Sequence, residues 1–288
     1  MGGADDRAPR TTVVLSRLPA TGPLYRRALR GVLPGGRRDP TLPATTLTVA
    51  GVQVDRGHLA DYDRVCGFPL TERLPVTYPH VLGFPLALRL MTAPDFPFPV
   101  TGLVHVANRI TAHRAILAGE LLDFSAYAER LRPHDRGRQL DVVLVASVAG
   151  AEVWRGVATY LSRERGDGGG ARRDEGDRPA TPAATARWRA DTRVGTDYAR
   201  VSGDHNPIHT SRLGARLFGF RRPIAHGMWS KARCLAAFEN RLPDAYTVEV
   251  AFKLPVPLPG TVSFTRLSDG GFTLHDSLGR PHLAGLVR

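Results

Sequence analysis

Three short blocks of this chain occur twice in the same order, and no other feature constrains its fold as much. YDRVCG at residues 62–67 is answered by YARVSG at 198–203, PHVLG at 79–83 by PIAHG at 223–227, and VHVANRI at 104–110 by VEVAFKL at 248–254. From the glycine that closes the second block to the valine that opens the third is 21 residues in both copies. Chance accounts poorly for equal spacing, so the chain reads as one fold used twice. Its 288 residues suit two units at the usual domain size of about 100–200 residues.

The boundary between the copies is visible in composition. Residues 163–186, RERGDGGGARRDEGDRPATPAATA, are rich in Gly, Pro, Ala and alternating charge and show no apolar periodicity. A loop of that length is uncommon inside a compact domain, and the segment reads as a flexible linker. The expected organisation is therefore a first domain over 1–162, a linker over 163–186 and a second domain over 187–288.

The same elements are expected in each unit. Apolar residues at helical spacing follow both glycines, Phe84, Leu86, Ala87 and Leu90 in the first copy and Met228, Ala232, Leu235 and Ala236 in the second, which places Gly83 and Gly227 at helix starts. Phe84, Leu86, Leu88, Leu90 and Met91 read as core residues, with the wall of a tunnel as the alternative. Val104/Val106 and Val248/Val250/Phe252 then alternate as strand residues do, and further short strands are expected within about 140–160 and about 261–287. Strands in series with short connections make an antiparallel sheet, so each unit is α+β, one longer helix packed on its sheet. The strand region after Gly260 is short, which predicts that the second unit leans on the first to complete its sheet.

Composition narrows the function classes. The net charge is +12, yet only Lys231 and Lys253 are lysines among 39 basic residues, and no basic run alternates with aromatics as a nucleic-acid platform does. Two cysteines, Cys66 and Cys234, are too few for a disulfide framework and read as buried thiols. Neither a basic start followed by an apolar run nor a stretch of about 18 apolar residues is present, so the expected compartment is the cytoplasm.

The densest cluster of chemically capable residues is SGDHNPIH, 202–209. Pro207 blocks a regular helix and favours a turn that brings Asp204 and His209 together, with Asn206 holding the turn through its amide. A carboxylate and an imidazole at one point form an acid/base pair that can orient water and move a proton near neutral pH. Each residue alone also has a bland reading, the Asp as a turn cap and the His as a structural side chain. Asp204, His205, His209 and His226 match no established metal-ligand spacing, and no metal is expected. At PIAHGM, a helix opening at Gly227 would aim its free N–H where negative charge can develop, and the missing Cβ admits a close carbonyl.

Taken together, the run YARVSGDHNPIHTSRLGARLFGFRRPIAHGM resembles the signature of the MaoC-like dehydratases, (R)-specific enoyl-thioester hydratases of the hot-dog fold, including the 18-residue interval from His209 to Gly227. The resemblance covers the first half of the second unit, with FKLPVPLPG at 252–260 as a further matching block. It implies a double hot-dog architecture, two similar domains each with a central helix wrapped by an antiparallel sheet, the first a degenerate copy with Gly67-Phe68 where the second has Gly203-Asp204. It implies reversible hydration of trans-2-enoyl thioesters and dehydration of (3R)-hydroxyacyl thioesters. Asp204 and His209 would activate the water, and the Gly227 N–H would hold the thioester carbonyl, with Asn206, Ala225 and His226 on the substrate and oxyanion side. No cofactor is implied beyond the coenzyme A or acyl carrier protein of the substrate, and a homodimer is an arrangement it admits. Arg212, Arg216, Arg221 and Arg222 are candidates to meet the phosphates or an acidic carrier surface. Two other readings stay open, a non-catalytic acyl-thioester-binding partner and a hot-dog thioesterase. One departure bears on this: some members carry a Ser two turns into the central helix that supports the Asp, whereas this chain has Leu235, leaving Ser202 and Ser230 as substitutes.

Overall fold

The computed structural model describes residues 10–30, 41–163, 183–238 and 241–288. The first copy contains β1 (Thr11–Leu15), α1 (Thr21–Arg30), β2 (Thr45–Val52), α2 (Arg56–Cys66), α3 (Tyr78–Met91), β3 (Leu103–Ala112), β4 (Leu122–His134), β5 (Gly137–Val148) and β6 (Ala151–Arg163). The second contains β7 (Ala186–Ala190), α4 (Val194–Ser202), the short α5 (Pro207–Thr210) and α6 (Arg212–Leu217), α7 (Gly227–Ala236), β8 (Tyr246–Phe252), β9 (Gly260–Arg266), β10 (Gly271–His275) and β11 (Pro281–Val287).

The repeat is built into one sheet. The strand order β1-β2-β4-β5-β6-β3-β8-β11-β10-β9-β7 reads from each edge inward through equivalent strands to β3 and β8, which pair antiparallel at the centre. Ala107 lies opposite Ala251, and these are the same position in the two sequence blocks, so a pseudo-twofold axis passes through that pair. Among the described residues the second copy has five strands and closes its sheet against the first, as its short C-terminal region predicts. One apolar cluster runs through both copies, including Leu86, Leu90 and Phe124 on one side and Trp229, Leu235 and Phe264 on the other.

Each central helix is covered on several sides, so apolar residues occupy most of its circumference. In α3 these are Phe84, Leu86, Leu88, Leu90 and Met91, all buried. In α7 they are Met228, Trp229, Ala232, Cys234, Leu235 and Ala236, joined by a fully buried lysine, Lys231. Lys231 Nζ lies 2.6 Å from Asn108 Oδ1, 3.2 Å from Val248 O and 3.3 Å from Asn108 O, so the buried nitrogen meets acceptors on the two strands that join the copies. Cys66 and Cys234 are free and buried. Among the described residues no helix is long and apolar enough to cross a membrane.

Three sequence expectations change. Gly83 does not start a helix: α3 begins at Tyr78, because Pro79 suits the first helical turn, where its missing N–H costs nothing. The equivalent Pro223 does not have that effect. Residues 223–226 are held extended by Ala225 N–H to Val256 O at 2.8 Å, by the Ile224–Pro257 bridge and by Leu258 N–H to Pro223 O, so α7 opens at Gly227. Second, β1, α1, β2 and the 13-residue β4 were not legible in the sequence pattern, and α1 proves to border the site. Third, residues 164–182 of the linker expected at 163–186 lie outside the described residues, but its ends belong to the sheet. Arg163 closes β6, Ala186 opens β7, and Thr185 N–H donates to Phe264 O at 2.7 Å.

Candidate active site

The loop after α4 is shaped by its glycine. Gly203 caps α4 in the left-handed region, φ +71°, as Gly67 caps α2 at φ +80° in the other copy. That turn throws Asp204 off the helix end. Asn206 then caps α5, its Oδ1 accepting the Ile208 N–H at 3.3 Å, with Pro207 in the first turn. The single turn of α5 swings His209 back toward the start of α7, where the His209 and His226 rings stack with centroids 3.7 Å apart.

Hydrogen bonds fix both imidazole tautomers. His209 Nδ1 lies 2.8 Å from Ile224 O, and since a carbonyl only accepts, Nδ1 carries the proton and Nε2 keeps its lone pair. By the same reasoning His226 Nε2 donates to Asp204 O at 3.0 Å, leaving His226 Nδ1 as a buried acceptor with no partner among the described residues. Asp204 Oδ1 accepts from Tyr25 Oη at 2.5 Å and from Asn206 N–H at 3.2 Å, while Oδ2 stands 3.8 Å from His226 Nε2.

The electrostatics follow from this geometry. Burial pushes the Asp204 carboxyl upward, but His226, His209 and the hydrogen bonds from Tyr25 and Asn206 outweigh it, and the group sits below the ordinary carboxylate value. Burial depresses His209 against the pull of Asp204 and keeps it neutral. Burial and His209 take His226 down to about 3. The result is an ionised carboxylate beside a neutral imidazole whose free nitrogen can accept a proton.

The other candidates fall into place around this pair. Gly227 is the first residue of α7, and its N–H has no partner among the described residues. A Cβ there would lie 3.0 Å from Phe252 Cε1, so any other residue would push the ring and the helix start apart by a few tenths of an ångström. Ala225 is buried with its N–H spent on Val256 O, and Asn206 spends its side-chain oxygen on the turn. The ligating atoms of Asp204, His209 and His226 lie within 4.8 Å of one another, a span a metal could bridge, but two of the imidazole nitrogens are committed to carbonyls. His205 is exposed and stands outside that group. Neither serine reaches the carboxylate: Ser202 Oγ accepts the Asp204 N–H and Ser230 Oγ donates to His226 O.

Sequence reasoning missed the contribution of the first copy. Tyr25 of α1, His80 of α3, His105 of β3 and Tyr160 of β6 all feel the Asp204 charge, and His105 packs between Tyr160 and Phe252 with ring centroids 4.9 Å from each. No motif marks these residues, since their part in the site depends on the fold of the other copy.

Comparison with known proteins gives a consistent picture. A family model described as the MaoC like domain matches residues 176–274. The 3-hydroxyacyl-thioester dehydratase X of Mycobacterium tuberculosis is 39% identical over 267 residues, 91% of this chain and 95% of that protein. The crystal structure of HtdX from the same organism superposes with a TM-score of 0.75 at 38% identity, covering 84% of this chain and 99% of that one. A MaoC-like dehydratase from Phytophthora capsici shares the fold at 17% identity, with a TM-score of 0.63 over 84% of this chain and 94% of its own.

Proposed function

The chain belongs to the MaoC-like dehydratase family, and from that premise we propose that Asp204, His209 and the Gly227 N–H carry out the reversible dehydration of (3R)-hydroxyacyl thioesters to trans-2-enoyl thioesters. The protein is a double hot-dog hydro-lyase that acts on hydroxyacyl thioesters of fatty-acid metabolism. The observation that carries the site assignment is convergence. An ionised carboxylate, a neutral imidazole with a free Nε2 and an unpaired N–H at a helix start meet at one place, which is the set that adding water to a conjugated thioester needs.

In the hydration direction, a water molecule held by Asp204 Oδ2 gives a proton to His209 Nε2 as its oxygen bonds to C3 of the enoyl chain. Charge moves to the thioester oxygen, where the Gly227 N–H and the α7 dipole oppose it. Return of the proton from His209 to C2 regenerates the site and accounts for both hydrogens of the water. Dehydration runs the same steps backward: His209 takes the C2 proton and returns it to the departing hydroxyl.

The carrier of the acyl group meets the surface beside His209. Arg212, Arg216, Arg221 and Arg222 are exposed there together with Leu213 and Leu217, and no acidic residue occurs from His205 to Phe238. That surface suits the phosphates of coenzyme A or an acidic carrier protein. The copy-to-copy seam within one chain supplies the arrangement that a hot-dog dimer would otherwise provide.

Adding purified protein to trans-2-enoyl-CoA esters of graded chain length and following the conjugated-thioester absorbance tests the reading. Loss of absorbance without free thiol supports hydration. Thiol release would point to hydrolysis, and no reaction at any chain length to a binding protein.

A further inference from the structure

The side chain that touches the Asp204 carboxylate most closely comes from the other copy of the repeat. Tyr25, 179 residues away in sequence, donates its phenol O–H to Asp204 Oδ1 at 2.5 Å. Helix α1 is held in place to do this. Leu24 packs with Phe84 and Leu88 of α3, and Tyr25 packs against the same cluster. At the front of α1, Thr21 lies under Gly203: a Cβ on that left-handed glycine would stand 3.2 Å from Thr21 Cγ2, so the absent side chain lets α1 close onto the Asp204 loop. The Tyr25 and His205 rings stand nearly perpendicular with centroids 6.4 Å apart.

The serine expected on the central helix is Leu235, fully packed in the core; Ser202 Oγ accepts the Asp204 N–H and Ser230 Oγ donates to His226 O, so neither pairs with the carboxylate. Asp204 still needs an orienting donor, because a carboxylate free to rotate presents either oxygen to a water. We propose that Tyr25 is a positioning residue of the dehydratase reaction, through which the copy lacking its own acid/base pair fixes Asp204 Oδ1 and leaves Oδ2 facing the water and His209. This inference rests on the functional reading given above and adds to it that the first copy takes part in the chemistry.

The bond has an electrostatic consequence. The Tyr25 O–H favours the ionised carboxylate, alongside His226, His209 and the Asn206 N–H, against burial. His80, His105, Tyr160 and Tyr198 feel the carboxylate's charge from α3, β3, β6 and α4, and His205 follows Asp204 in the loop. Burial and the Asp204 charge both raise the phenol, so it remains a donor through the neutral range.

Tyr25→Phe keeps the ring and its packing and removes only the donor. The expected result is a fall in kcat of about 10- to 100-fold, the scale of one hydrogen bond to a charged group. KM should stay nearly constant and the variant should still fold, with a modest loss of melting temperature and the acid limb of kcat/KM moved to higher pH. In an Asp204→Asn background the same change should add little. Titration of the Asp204 carboxyl by 13C NMR reads the same upward movement without turnover. Wild-type kcat in Tyr25→Phe together with an unmoved acid limb would overturn the proposal and reduce α1 to a packing element. An Asp204→Asn variant at full rate would instead strike the functional reading itself, and with it this role.

Discussion

Acidification should unfold this protein early, and the reason lies in the histidines around the site. His226 is held down to about 3 by burial and His209, His80 to about 4 by burial and Lys231, and His105 to about 3 by burial, His80 and Lys231, with Asp204 pulling each upward. In the unfolded chain each titrates near 6.5, so below that pH the unfolded state binds protons that the fold refuses. Stability from these groups is complete above about pH 6.5 and is lost as the pH falls toward their folded values. Asp63 works the other way. Burial raises it to about 7, so the fold holds a proton there that the unfolded chain releases above its ordinary value. Three protons in one direction against one in the other leave nearly two at about pH 5.5, a slope of about 2 kcal/mol per pH unit. His209, depressed in the same sense, adds to it.

Urea melts of the whole protein between about pH 7.5 and about pH 5 measure this slope as a falling midpoint with constant m. His80→Gln with His105→Gln should remove most of it, because those two side chains account for two of the three protons. A midpoint independent of pH over that range, or a double variant as acid-sensitive as wild type, would refute the reasoning that the pocket behind Asp204 holds neutral imidazoles.

Two further predictions concern the helix start and the seam. Gly227→Ala keeps the N–H but sets a Cβ 3.0 to 3.2 Å from the Phe252 ring, so helix start and ring must part by a few tenths of an ångström. The expected cost is about tenfold in kcat on enoyl thioesters with KM little changed, and an unchanged kcat would show that this N–H does not meet the reacting oxygen. Lys231→Met strands Asn108 Oδ1, which should cost about 1–3 kcal/mol in melts at high pH. Burial depresses Lys231 well below its ordinary value, so wild-type stability declines as the pH falls below about 10.5 and the variant recovers ground in that window; a constant difference between the two would contradict this.

The readable parts of the sequence were those in which chemistry and local geometry coincide. Gly67 and Gly203, Pro207, and the valines of β3 and β8 each dictate their own backbone, and the repeat they form locates the pseudo-twofold axis at Ala107 and Ala251. The juxtaposition of Asp204 with His209 is legible because one loop carries both, and Gly227 opens α7 as its block reads. The start of α3 was misread since the Pro79 and Pro223 blocks look alike, while only the second is held extended by residues 256–258. Tyr25 was invisible for a related reason: α1 has no counterpart among the described residues of the second copy, and its place over Gly203 is decided by packing against α3. His80 and His105 lie inside the repeated blocks, but nothing in those blocks marks them as part of the site, since what makes them matter is desolvation.

The most direct test of the account is turnover of a trans-2-enoyl-CoA by wild type, Asp204→Asn, His209→Gln and the double variant, with melting temperatures recorded beside the rates. If the two side chains act on one water, each single change costs about 10²- to 10⁴-fold and the double change little more than either. Single variants that keep wild-type rates, or losses that simply multiply in the double variant, would contradict it.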